Sequence, residues 1–207
     1  MGNSAILLAG GSSERFGQDK GLVLLGKKQL VRHVVDAVNG LVEEKVVVVR
    51  SEEQKQSYLK VLGSQCAVVV DTEKVQSPLA GAYTGFGAVR GQYSLLLPCD
   101  VPFVSREVLS LLLDLCVNKS AVIPRWPNCF IEPLQAVYCR RVALKAAGKA
   151  LSCQEYTMQA MIDRLRGVRY VSTLVLQQLD PELKTFMNIN TPLDLKRAET
   201  TLKHVAR

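Results

Sequence analysis

This sequence predicts a three-layer α/β/α fold around a mostly parallel, mixed sheet, and two observations lead there. Short apolar, β-branched runs recur along the chain, and several are continuous rather than alternating, as expected of strands covered on both faces. Segments with helical signals lie between them, and strand–helix alternation of this kind builds βαβ units.

The runs are Ala5–Ala9, Val46–Val49, Ala67–Val70, Ser94–Leu97, Ala121–Ile123 and Leu134–Tyr138. Between the first two, Val31, Val34, Val35, Val38 and Leu41 repeat at the spacing of an amphipathic helix. Ser51-Glu52-Glu53-Gln54 reads as a capping box opening the next helix, with Gln54 reaching back to the Ser51 N–H. Ser105 is the expected cap of a helix running to Val117. Thr191-Pro192-Leu193-Asp194 opens the last helix, with proline where no donor is needed, and Leu195, Ala198, Leu202 and Val205 form its apolar stripe. From about Trp126 the pattern loosens: Trp126–Phe130 reads as a loop, and short helices and strands mix after Gly148. No repeat, low-complexity tract or linker interrupts the chain. The expectation is one domain over 1–207, with a nucleotide-binding half (1–124) and an acceptor-binding half (125–207).

Composition bounds the function. The 207 residues are 48% hydrophobic and 22% charged, which excludes disorder and a collagenous repeat. The net charge of +7 favours an anionic partner. One Trp, 6% aromatics and no recognisable module leave little for base stacking or groove reading, so nucleic acid is not expected. Six cysteines without a C-x-x-C pair and only two histidines, His33 and His204, assemble no zinc spacing. Met1–Ser4 lacks a basic region, and no stretch reaches the ~18 apolar residues of a membrane span. A reduced, cytoplasmic protein without a membrane partner is expected, with Lys27-Lys28, Arg140-Arg141 and Lys196-Arg197 as solvated surface.

The sharpest feature follows the first strand: Leu8-Ala9-Gly10-Gly11-Ser12-Ser13-Glu14-Arg15-Phe16-Gly17-Gln18-Asp19-Lys20. Adjacent glycines at the carboxyl end of a buried strand let backbone N–H groups close on phosphate oxygens. Arg15 can grip a triphosphate in a forked geometry, and Lys20 adds a point charge. This is not a Walker loop, because Gln18 rather than lysine follows Gly17, and it is not G-x-G-x-x-G. Farther on, Leu95-Leu96-Leu97-Pro98-Cys99-Asp100-Val101-Pro102 sets a lone carboxylate at the end of an apolar strand, on a turn stiffened by two prolines. That suits Mg²⁺, which takes only one or two protein carboxylates beside phosphates and water. Asp71 is a second strand-end carboxylate, able to assist the metal or hold a ribose hydroxyl or base edge. Cys99, with no histidine beside it in sequence, is a small buried hydrophobe.

Together these residues resemble the molybdenum cofactor guanylyltransferases, within the wider nucleotidyltransferases of this α/β fold. That family's opening L-A-G-G-x-S-x-R-x-G-x-D-K-G stands complete from Leu8 to Gly21. Ser77-Pro78-Leu79-Ala80-Gly81 resembles its P-L-x-G loop, Cys99-Asp100-Val101-Pro102 its C-D-x-P metal site, and Asn188-Ile189-Asn190-Thr191-Pro192 its late N-x-N-T-P segment. Arg50 departs from the pattern, standing where a small polar residue would touch the nucleotide, and so does Arg125–Gln135.

The resemblance implies a Rossmann-like sheet of the nucleotide-diphospho-sugar transferase type. It implies transfer of GMP from GTP to the terminal phosphate of molybdopterin, with Mg²⁺ as cofactor and molybdoenzymes or cofactor-biosynthesis proteins as partners. It implies that Leu8, Ala9, Gly10 and Gly11 hold the nucleotide through backbone groups. Arg15 and Lys20 would bind its phosphates, Asp71 would contact the nucleoside, Asp100 would carry the metal, and Asn188 and Asn190 would face the acceptor. The catalytic set would be Lys20, Arg15 and Asp100. Two rivals stand beside this reading. One is a CTP- or GTP-dependent transferase acting on another phosphorylated acceptor, since base choice rests on loop geometry around Leu79–Gly81. The other is a GTP-binding protein without turnover.

Overall fold

A computed structural model describes residues 2–9 and 16–205, with side chains as far as Lys203. Seven strands form one sheet and two short ones a separate hairpin. In chain order the elements are β1 (Asn3–Leu8), β2 (Leu24–Leu25), β3 (Lys28–Gln29), α1 (Leu30–Val38), β4 (Glu44–Val49), α2 (Glu52–Leu62), β5 (Ala67–Val70), α3 (Pro78–Ala88) and β6 (Tyr93–Pro98). Then come α4 (Arg106–Leu115), β7 (Ala121–Arg125), β8 (Ala136–Cys139), α5 (Arg140–Ser152), α6 (Met158–Ile162), β9 (Val168–Ser172), α7 (Thr173–Leu176) and α8 (Pro192–Val205). The sheet order is β5-β4-β1-β6-β8-β7-β9, and β8 alone runs against its neighbours. The expected three-layer, mixed, mostly parallel sheet is the observed one.

The continuous apolar strands explain the layers, because successive side chains point to opposite faces. Ala5, Leu7, Val47, Val49, Leu95 and Leu97 meet α1, α2 and α4 on one face. Ile6, Val46, Val48 and Leu96 meet α3, α5 and α6 on the other. Each Val, Leu or Ile side chain among them, buried completely, contributes roughly 1.5–3 kcal/mol. A third, smaller cluster of Val23, Leu25, Leu30, Ile189 and Ala198 fastens α8 to the β2–β3 hairpin, with Leu195 and Leu202 of the predicted stripe packed on it. The side chain of Val205 lies outside the described residues.

Local chemistry sets the ends. Gly26 opens the two-residue hairpin loop at φ +63°, in the left-handed region that glycine enters without strain. Ser51, Ser77, Ser105 and Thr157 each accept from a backbone N–H three residues on. Thr191 and Asp194 cap each other reciprocally at the start of α8.

Three expectations need correction. The Gln54 side chain reaches past Ser51, and its Oε1 accepts instead from the Arg50 N–H at 2.8 Å, leaving only half the capping box. The helix expected to reach Leu41 ends at Val38, where Asn39 and Gly40 (φ +76°) turn the chain. Arg140 is half-buried, its guanidinium reaching the Phe86 carbonyl, so it is not solvated surface. The edge strand β9 and the β2–β3 hairpin had no strand signal strong enough to be read.

α3 approaches the sheet closely because Gly85 has no side chain: a Cβ there would stand 2.3 Å from Ile6 Cγ2 and 3.3 Å from Val48 Cγ2. Gly85→Val therefore forces the helix off β1 and lowers stability by about 1–3 kcal/mol, measured by denaturant unfolding; unchanged stability would contradict this packing.

Candidate nucleotide cleft

Parallel pairing carries the candidate residues to one edge of the sheet. The β1 ladder continues one residue beyond the strand on each side, through Ala9 N–H to Val48 O and Cys99 N–H to Leu8 O. Likewise Asp71 N–H reaches Val49 O at 2.7 Å. Asp71, Arg50 and Asp100 consequently stand at the carboxyl ends of β5, β4 and β6, the edge where open α/β sheets bind ligands. They line one cleft of about 730 Å³, measured with its open mouth, whose walls include Leu8, Lys20, Ser77, Gly81 and Leu134.

Lys20 and Asp100 occupy one end of the cleft. The Lys20 Nζ pairs with Asp100 Oδ2 and donates to Asn190 Oδ1 at 2.5 Å. Asp100 is only 8% exposed, and its Oδ1 is buried without a partner among the described residues. An orphaned carboxylate oxygen is costly unless something else fills it. A carboxylate on the cleft wall, joined through Lys20 to a carboxamide oxygen, offers the hard oxygen donors Mg²⁺ prefers. The residues present fit that ion. Among the described residues no three His, Cys, Asp or Glu side chains cluster as a metal cage, which leaves phosphate and water to complete the shell.

The late segment reaches this end through the backbone. Ile189 N–H donates to the Asp100 carbonyl at 2.9 Å, and Ile189 is fully buried. Its exposed neighbours Asn188 and Asn190 meet different partners. Asn190 meets Lys20, whereas Asn188 Oδ1 accepts from Gln135 Nε2 at 3.5 Å. Nearby, Trp126 packs edge-on against Phe186 at 5.6 Å and donates to Glu132 Oε1 at 2.7 Å. Burial raises the Glu132 carboxyl above its ordinary value, and the Trp126 donor opposes that shift.

At the other end, Asp71 Oδ1 accepts from the Thr84 hydroxyl at 2.7 Å and the Glu73 N–H at 3.2 Å. These bonds aim the carboxylate from the start of the loop after β5. Gly81 approaches Leu8 closely, a Cβ there standing 3.3 Å from Leu8 Cδ2. Cys99 lines the cleft wall, but burial pushes its thiol far up, so it stays protonated and supplies no nucleophile.

The structure thus brings Leu8, Lys20, Asp71 and Asp100 into one cleft, sets Asn190 on Lys20, and leaves Asn188 beside Gln135. Ala9 continues the β1 ladder next to them and is buried. Gly10, Gly11 and Arg15 lie outside the described residues. Arg50, Ser77 and Leu134 also line the cleft without having been named as site residues. Of these, Arg50 carried a signal as a departure at a strand end, and Ser77 as the first residue of the P-L-x-G resemblance.

Residues 5–169 match the MobA-like NTP transferase domain. The chain belongs to this family of nucleotidyltransferases. Relatives match along nearly the whole length. The probable molybdenum cofactor guanylyltransferase of Methanosarcina mazei is 32% identical over 93% of this chain and 88% of its own. That of Methanothermobacter thermautotrophicus is 31% identical over 94% and 98%. Among solved structures, molybdopterin-guanine dinucleotide biosynthesis protein A of Archaeoglobus fulgidus superposes with a TM-score of 0.82 at 28% identity, covering 97% of this chain and 99% of that one. The 4-diphosphocytidyl-2C-methyl-D-erythritol synthase of Anaerococcus prevotii shares the fold of the MobA-like chain at 15% identity and a TM-score of 0.74, with 97% and 96% covered. Among the described residues no helix is long and apolar enough to cross a membrane.

Asp19, one residue before Lys20, offers a pH test. Burial raises its carboxyl above the ordinary 3.8, opposed by donors from Tyr58, Gly21 and Gln54. The folded state therefore holds that proton more tightly than the unfolded chain. Its contribution to stability is present below pH 3.8 and fades as pH rises through the folded value. The stability of the native chain minus that of Asp19→Asn should consequently fall with rising pH just above pH 4, in urea unfolding across pH 3–7; a difference that rises would contradict the burial effect.

Proposed function

We propose that this MobA-like chain transfers GMP from GTP to the terminal phosphate of molybdopterin, yielding the guanine dinucleotide cofactor and pyrophosphate. The observation that carries this reading is the Lys20–Asp100–Asn190 contact at one end of a cleft whose other end holds Asp71. A cation and a carboxylate with a spare oxygen suit a triphosphate with its divalent ion, and Asp71 stands where a nucleoside would extend. The names of the relatives support the guanylyl group and the pterin acceptor.

In the reaction a phosphate oxygen of the acceptor forms a bond to the α-phosphorus of GTP, and the bond from that phosphorus to the bridging oxygen of pyrophosphate breaks. The attacking oxygen is already ionised at neutral pH, so no strong general base is required. The chain's work is therefore positioning and charge neutralisation. Lys20 would leave Asp100 to take the triphosphate, and Arg15 would grip it beside the backbone of Leu8–Gly11. Asp71 would hold the nucleoside, while Asn190 beside Lys20 and Asn188 on the Gln135 side would bound the acceptor. Mg²⁺, when bound at Asp100, supplies charge neutralisation of the phosphates. The product would pass to cofactor-biosynthesis proteins or molybdoenzymes.

Purified protein given Mg²⁺, molybdopterin and either GTP, CTP or ATP should release pyrophosphate with GTP, and release with CTP alone would sink the guanylyl assignment. GTP binding without any release would leave the non-catalytic reading instead. Lys20→Ala and Asp100→Ala should each lower the rate by ~10²–10³, as the loss of one preorganised charge contact does, with the fold retained by circular dichroism. Either variant keeping most of its activity at saturating Mg²⁺ would remove that residue from the catalytic set.

A further inference from the structure

We infer that Tyr58 and Gln54, both on α2, are positioning residues that aim Lys20 through the Asp19 carboxylate. The inference depends on the transfer reading above only for what Lys20 finally grips. Three donors converge on Asp19. The Tyr58 hydroxyl lies 2.6 Å and the Gly21 N–H 3.1 Å from Oδ1, and Gln54 Nε2 lies 2.7 Å from Oδ2. Gln54 is itself held at its other end, its Oε1 accepting from the Arg50 N–H at 2.8 Å. The carboxamide therefore bridges the end of β4 to the turn that carries the lysine.

Among the described residues the Lys20 amine meets Asp100 and Asn190, so the network does not act by touching it. It fixes the main chain on either side. Asp19 caps the single turn Lys20–Leu22. Gly21 lies so close beneath the phenol that a Cβ there would stand 2.1 Å from Tyr58 Oη and 3.0 Å from Cys99 Sγ. A lysine is a point charge on a flexible four-carbon stem, so its reach is set by where its Cα is held. Here the Cα is held by α2, whose Tyr58 and Leu62 are sunk in the core on one face of the sheet. Tyr58 is completely buried, and burial with Asp19 alongside keeps its hydroxyl a donor. The amine is left free to exchange Asp100 for a phosphate while its root stays fixed.

A double-mutant cycle separates aiming from mere packing. Native protein, Tyr58→Phe, Lys20→Ala and the double variant are titrated calorimetrically with inorganic triphosphate and Mg²⁺, a probe that needs neither base nor acceptor. Tyr58→Phe should weaken triphosphate binding about tenfold, the size of one hydrogen bond to a charged group, when Lys20 is present, and less than twofold when Lys20 is alanine. Equal losses in both backgrounds, or none in the native one, would overturn the inference, as would native protein that binds no triphosphate. Gln54→Ala runs the same cycle if Tyr58→Phe does not fold. Coupled binding without transfer to molybdopterin would refute the proposed function and leave the positioning role standing. Transfer with additive effects would do the reverse.

Discussion

The six residues of β1 are hydrogen-bonded on both sides to parallel strands, β4 and β6, and their register decides where each cleft residue stands. Parallel partners present their carboxyl ends at the same edge. Because the ladder runs on through Ala9 and Cys99, the chain leaving β1 and the Asp100 turn emerge side by side. The strand can hold this place only because it is apolar on both faces, with Ile6 toward α3 and Leu7 toward the opposite layer. A slip of one residue would reverse every one of those contacts. Packing in the interior thereby dictates geometry at the rim.

Legibility in the sequence divides along the same line. Local, repetitive signals were readable: the apolar runs, the Ser51 and Ser105 caps, the proline-opened α8, and strand-end carboxylates at 71 and 100. What could not be read depends on meetings across long stretches of chain. Nothing local to Tyr58 says that its hydroxyl reaches Asp19, 39 residues away. Nothing local to Asn190 says that it meets Lys20 while Asn188 does not. Their partners, Lys20 and Gln135, lie 170 and 53 residues away in the chain. Gln54 was legible as a capping residue but not as a bridge, because the reach of its carboxamide depends on where Asp19 lies. β9, with two polar side chains in five and an exposed tyrosine, lacks the buried pattern that betrayed the central strands.

Electrostatically, the excess of positive charge matters less than its distribution. Lys28 pairs with Asp36 and Lys184 with Glu182 at the surface, where such pairs contribute about 0–1 kcal/mol. Lys196, Arg197 and Lys203 on α8 are exposed. Lys20 differs by having its partner nearly buried, so the pair is shielded from solvent and its charges are felt strongly across the cleft. The net charge points to an anion in general, whereas the Lys20–Asp100 pair concentrates charge at one place on the cleft.

The reversed strand β8 has a consequence for how such a chain can diversify. Since β8 runs against β6 and β7, the whole connection from Arg125 to Ala136 is a hairpin loop standing on the cleft edge, with Leu134 on its wall and Gln135 at Asn188. The rest of the cleft is built from other strands, β1, β4, β5 and β6. Lengthening or rewriting the hairpin would change that wall of the cleft while the register of those strands stays put. One wall of the cleft can thus change its chemistry while the other is held in place by its own packing.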